Sequence, residues 1–268
     1  MRNLWVARSD PAFAEWEISL PAPATPADVR RILDLARGIL DLGAREDVYR
    51  VLETAGPSGF RANHDRTYAD FLESTFDSTG VLPLFDLGSG VAPTSAGQLV
   101  TPARICYFDD DGVRVEAEVN DLGALLQRLR PGDVDEWSNF MAHVAPVTIL
   151  SRSVVAPSSG GSGRQRPVWI TLSLLTDLWF PWVLGTIEGE QPLNPLPRLL
   201  YDNRHLASCH TPRLNRFLTA VCRLAVDLGG EWSRRPPEGS AQHYSQMVGE
   251  AEILLDVTPV GYTLREPT

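Results

Sequence analysis

Strand-period and helix-period segments follow one another along this chain without a regular beat, and that order limits its possible architectures more than any other feature. In Glu15-Trp16-Glu17-Ile18-Ser19-Leu20 apolar and polar residues alternate strictly. This is the period of a half-buried strand, with Leu4 to Ala7 as the expected partner and Asp10-Pro11 in the turn. Thr25-Pro26 then reads as a helix N-cap followed by proline at the first helical position. Val29, Ile32, Leu33, Ala36, Ile39 and Leu40 form one apolar stripe, which Gly43 ends. The spacing predicts a second helix through Val48, Val51, Leu52 and Ala55 and a third through Tyr68, Phe71 and Leu72. The stretch 78–102, rich in Gly, Pro, Ser and Thr, is expected to be loop.

Further on, Ile105 to Phe108 and Val113 to Val119 read as a hairpin around Asp109-Asp110-Asp111-Gly112. Val113, Val115, Ala117 and Val119 would face inward, and Arg114, Glu116 and Glu118 outward. Helices are expected over 121–130, on Leu122, Leu125, Leu126 and Leu129, and over 133–145, on Val134, Trp137, Phe140, Met141 and Val144. Strands are expected over 147–155 and 168–174, irregular chain over 179–197, and closing strands at 251–257 and 262–264. The clearest helix opens at Thr211-Pro212, aligns Leu214, Phe217, Leu218, Val221, Leu224, Ala225 and Leu228, and stops at Gly229-Gly230. An antiparallel hairpin and no βαβ rhythm give an α+β fold with a mixed or antiparallel sheet and packed helices. The reading is one domain over 1–268 with a flexible loop at 156–167, or else two subdomains, 1–155 and 168–268.

Two helices echo each other. Thr25, Pro26, Arg30, Arg37, Asp41, Leu42 and Gly43 recur 186 residues later as Thr211, Pro212, Arg216, Arg223, Asp227, Leu228 and Gly229. Either the chain holds two distantly related halves, or a Thr-Pro start and a Leu-Gly stop arose twice as ordinary helix punctuation.

All 24 basic side chains are arginine, and no lysine is present. The chain therefore lacks a Schiff-base amine, a P-loop lysine and the strand lysine of a protein kinase. A formal net charge of −10 disfavours nucleic acid and anionic membranes as partners and suits either a basic protein partner or plain solubility. Three cysteines, Cys106, Cys209 and Cys222, contain no CxxC pair and fit a reducing compartment, so a cytoplasmic location is expected. The apolar run 168–185 is broken by Asp177 and Pro181, and no membrane span is expected.

The densest polar cluster is Tyr201-Asp202-Asn203-Arg204-His205, followed by Cys209-His210. On a helix His205 and Cys209 would stand one turn apart, a spacing zinc can use. A structural site needs four ligands, His64 and His143 are remote single residues, and no metal or cofactor is expected. A helix cap at Asp202 or Asn203 accounts for the cluster more simply. Cys209 with His210 and Asp202 is the least implausible nucleophile group, whereas Cys106 and Cys222 read as packing residues. The Asp109 turn fails the EF-hand pattern at Val113 and Asn120. The glycine run 160–163 lacks both the P-loop lysine and the Rossmann spacing, although Arg164 and Arg166 are able to grip an anion.

Trp16, Trp137 and Trp169 fall at inward or half-buried positions, while Trp179, Phe180 and Trp182 cluster in irregular chain near Glu188 and Glu190. That second group reads as an aromatic anchor with an acidic rim for a protein partner, or else as packing under a loop. The functional expectation is a soluble, acidic, non-catalytic binding module, an inhibitor or immunity-type antidote of a basic protein. The alternative is a small-molecule or peptide hydrolase or transferase built on Asp202, His205, Cys209 and His210.

Overall fold

The computed structural model describes residues 5, 12–54, 67–88, 97–109, 111–129, 145–151, 154–155, 166–183, 199–237 and 244–265. The fold is α+β, organised around a seven-stranded sheet. Its strands, in chain order, are β1 (Ala14–Leu20), β2 (Arg50–Thr54), β4 (Asp86–Leu87), β5 (Gly97–Val100), β8 (Val147–Ser151), β10 (Val168–Leu174) and β13 (Glu231–Arg235). Their spatial order is β13-β1-β10-β8-β4-β5-β2, antiparallel throughout except where β4 meets β5. Among the remaining strands, β3 (Val81–Leu82) pairs with β9 (Val154–Val155) and β6 (Ala103–Phe108) with β7 (Arg114–Val119). A three-stranded sheet orders β11 (Trp182–Val183), β12 (Leu199–Asp202) and β14 (Thr263–Arg265).

Four described helices accompany the strands: α1 (Pro26–Arg45), α2 (Tyr68–Thr79), α3 (Leu122–Arg128) and α4 (Arg204–Asp227). Thr25 and Thr67 open α1 and α2 with complete capping boxes, in which the threonine side chain accepts from the backbone N–H of Asp28 or Asp70 and the aspartate accepts in return. Asp121 caps α3, accepting from Ala124 N at 3.1 Å. One core cluster runs from Phe13 to Ile253 and joins Trp16, Ile18, Ile170 and Leu172 of the sheet to Ile32, Leu33 and Ile39 of α1 and Leu214, Phe217 and Val221 of α4. A smaller cluster lies under the β6–β7 hairpin, where Ala103 and Ile105 meet Leu122 and Leu125 of α3, Leu178 and Leu206.

Several elements differ from the sequence expectation. β1 finds its described partners far along the chain, in β10 and β13. Ala14, Trp16, Ile18 and Leu20 are buried as the alternation predicts, while on the opposite face Glu15 and Ser19 are half-buried and Glu17 is buried. The expected helix at 48–55 is strand β2, because pairing with β5 decides a window too short for the two periods to be separated. The stretch 78–102 contains β3, β4 and β5, and 147–155 is two strands, β8 and β9. Residues 251–257 carry only a bridge, Val248 to Ile253, rather than a strand. Val113 is exposed at the hairpin tip, while Val115, Ala117 and Val119 are half-buried. Leu4, Val6 and Ala7, the helix 133–144 and residues 156–165 of the expected loop lie outside the described residues.

Both ends of the helix echo also part company. Thr25 caps α1, but α4 begins at Arg204, leaving Thr211 and Pro212 in its interior. Gly43 does not stop α1 and sits one turn inside it against Tyr49, where an added Cβ would lie 2.2 Å from the ring. Gly229 follows the end of α4 with φ +81°. α1 runs between β1 and β2, α4 between β12 and β13, and no strand frame is shared.

Candidate functional site

The polar cluster heading α4 is largely consumed by the fold. The Asn203 amide nitrogen donates to the Leu178 and Phe180 carbonyls, each at 2.9 Å, and its oxygen accepts from Trp5 Nε1 at 2.9 Å. It stands at the N-cap position but makes no side-chain cap bond, because both ends of the amide are already engaged. The Asp202 carboxylate accepts from Arg204 through its backbone N and Nε at 2.9 Å and Nη2 at 2.7 Å. Arg204 holds that carboxyl below the usual aspartate range. Tyr201 is buried in β12.

His210 is buried, and its Nε2 lies against the Arg104 carbonyl. A carbonyl only accepts, so this nitrogen carries the proton of a neutral ring. Desolvation, reinforced by the Arg213 charge and opposed by the Arg104 bond, lowers the His210 pKa to about 4. Cys209 and His205, in contrast, are exposed. The structure thus separates the sequence neighbours Cys209 and His210, one facing solvent and the other committed to a backbone carbonyl. Among the described residues no group of three or more His, Cys, Asp and Glu side chains converges on a metal position.

Next to His210 a second, half-buried group serves the same purpose. Arg213 donates to the Asp47 and Pro102 carbonyls and stands 5.6 Å over the Trp179 ring. Asp47 takes the left-handed conformation, φ 57°, that turns its carbonyl out of α1 toward this arginine. Thr211 Oγ1 donates to the Trp179 carbonyl at 2.6 Å. These bonds tie α4 to the end of α1, to the β5–β6 connection and to the aromatic segment.

That aromatic segment is interior. Trp179, Phe180 and Trp182 are buried, with Phe180 4.7 Å from the Tyr244 ring and Tyr244 bonded to the buried Asp177 carboxylate at 2.8 Å. The expected anchor face is therefore corrected: these rings close the core beneath α4 and offer a partner no surface. Glu188 and Glu190, its expected rim, lie outside the described residues, as do Arg164, His64 and His143. Cys106 is not a core residue either, since it is half-buried on β6 and accepts from Arg114 Nε at 2.8 Å.

The second face of the seven-stranded sheet is partly open to solvent: Trp169, Leu150, Glu231, Ser233 and Arg235 on it are exposed, while Glu17, Ser173 and Thr148 are buried. Strand register sets its side chains in three rows. The first is Arg235-Glu15-Ser173-Thr148, the second Ser233-Glu17-Thr171-Leu150-Asp86 and the third Glu231-Ser19-Trp169. Trp169 is 48% exposed and Leu150 38%, although each lies in a strand whose other face is core. They occupy neighbouring rows on adjacent strands, a diagonal within reach of an indole ring. Among the described residues in these rows four carboxylates, Glu15, Glu17, Glu231 and Asp86, face a single cation, Arg235, which pairs with Glu15 at 3.3 Å and with Glu17.

Sequence reading missed this face because it placed Trp169 at an inward or half-buried position, whereas the residue is 48% exposed. The signal was present in Val168-Trp169-Ile170-Thr171-Leu172-Ser173-Leu174, where strict alternation leaves Trp169 as the one apolar residue on the side of Thr171 and Ser173. Asp86 could not be placed, because β4 is two residues long inside a loop-like stretch. No protein-family model, no curated protein and no solved structure matches the chain.

Proposed function

We propose that this protein is a non-catalytic binding module that captures a basic protein, in the manner of an inhibitor or immunity-type antidote, through the second face of its main sheet. The observation that carries the reading is Trp169, half exposed beside Leu150 on a sheet face where carboxylates outnumber cations. A tryptophan on a rigid central strand is an anchor that loses little side-chain entropy on binding, and tryptophan dominates interface hot spots. The surrounding acids complement a cationic surface and reject an anionic one. A net charge of −10 extends that preference over the whole molecule. Catalysis finds less support, since Asp202, Asn203 and His210 are bound into the fold and Cys209 faces solvent away from His210.

The test is titration calorimetry against the product of the neighbouring gene, using wild type and Trp169→Ala. Binding that weakens at least about tenfold on truncation supports the face. Undiminished binding by the variant moves the site elsewhere, and substrate turnover with no protein partner overturns the reading.

A further inference from the structure

β13 ends the seven-stranded sheet, and among the described residues its backbone bonds only to β1. Glu231, Ser233, Arg234 and Arg235 are exposed along it. An open edge of this kind is a template for another strand unless something prevents pairing. Charge is the usual protection, and it works when a second copy would bring like charges together. Here the pattern does the opposite. The strand reads Glu231-Trp232-Ser233-Arg234-Arg235, with an acid at one end and a base at the other. Antiparallel pairing of two copies about Ser233 sets Glu231 of each opposite Arg235 of the other. The same register sets Trp232 opposite Arg234, although each already donates to a carbonyl of its own chain, Trp232 to Glu250 and Arg234 to Val248. Among the described residues Glu231 makes no ion pair within its own chain, while Arg235 pairs with Glu15 and Glu17.

We propose that the protein self-associates as a two-fold dimer through β13, centred on Ser233, joining two sheets into one continuous sheet of fourteen strands. The occupant of the edge is a second copy because the charge sequence is complementary to itself when reversed, the requirement an isologous interface imposes. Directly opposed residues in an antiparallel pair project from the same face, so both copies of Trp169 lie on one side of the joined sheet. Pro236 and Pro237 follow immediately and end the pairing at Arg235. The inference is independent of the partner reading, since it concerns the chain alone.

Sedimentation equilibrium of the isolated full chain, from micromolar to millimolar concentration, tests it. Wild type is expected to show a monomer–dimer equilibrium. Glu231→Arg puts like charges at both symmetric positions and raises the dissociation constant at least about fivefold. Arg235→Glu does the same from the other side. An equimolar mixture of the two variants restores association, because the mixed dimer keeps one native pair and gains one swapped pair. Arg235→Glu also loses the pairs to Glu15 and Glu17, so a third variant guards against misfolding. Ser233→Cys sets two thiols across the dyad and yields, under mild oxidation, a disulfide-linked dimer beyond whatever the exposed Cys209 of wild type gives. A wild type monomeric at every concentration, dimers indifferent to Glu231→Arg, or a mixture no tighter than its components would each overturn the proposal.

Discussion

At the scale of single residues, this protein puts its most reactive-looking side chains to structural use. A neutral histidine bonded to a carbonyl and an arginine forked onto two carbonyls satisfy backbone groups that α4 and its neighbours would otherwise bury unpaired. His210 ties stability to pH with a definite sign. Its folded pKa, about 4, lies below the ordinary histidine value of 6.5, so between those values the unfolded chain binds more protons. Its contribution is complete above pH 6.5 and is lost as pH falls toward 4, by at most about 3 kcal/mol. Urea unfolding at pH 7 and pH 4.5 should show a steeper loss for wild type than for His210→Gln, which cannot titrate. Parallel losses would contradict the assignment. Arg213→Met leaves the Asp47 and Pro102 carbonyls without their donor and should cost about 2–4 kcal/mol, with Arg213→Lys recovering only part because an ammonium lacks the fork.

Among the elements, the packing of α1 on α4 turns on two glycines. At Gly38 an added Cβ would stand 2.3 Å from the Leu224 side chain, and at Gly43 it would enter the Tyr49 ring. Tyr49 in turn donates to the Ile39 carbonyl at 2.7 Å and meets Phe217 edge-on at 5.5 Å. Gly43→Ala should therefore destabilise by about 1–3 kcal/mol through overpacking, despite the better helix propensity of alanine, as chemical denaturation would read. An increase in stability would mean that the ring yields freely. Gly43 shows why element types were easier to read than their roles. Its position after Leu42 imitates a helix stop, but the constraint it answers is the ring of Tyr49 six residues on. Thr211-Pro212 misleads similarly: the sequence reads as a cap, yet the Thr211 hydroxyl is taken by the Trp179 carbonyl and the helix already began at Arg204. Strands β1 and β10 and helices α1, α2 and α3 were legible because cap or period is local to each. β2, β4 and β5 were not, since pairing partners far along the chain define them.

On the scale of the whole molecule, charge and shape point in one direction. The chain carries −10, no described helix is long and apolar enough to cross a membrane, and the main sheet has one face in the core and another bearing Trp169, Leu150 and four acids. The aromatic segment chosen from sequence, Trp179 to Trp182, had the right residue types for an anchor, but only the fold could reveal that α4 covers it. Trp169→Ala should leave folding stability within about 1 kcal/mol, because half of that ring already meets water, and the protein should melt as wild type does. The central claim, capture of a basic protein by an acidic sheet face, is tested most directly by the rate of association with that partner, measured by stopped flow across a salt series. The account predicts an on-rate that falls steeply with ionic strength, as screening shortens the field to about 8 Å at physiological salt, while Trp169→Ala changes dissociation far more than association. An on-rate indifferent to salt, with the Trp169 variant dissociating as slowly as wild type, would contradict it.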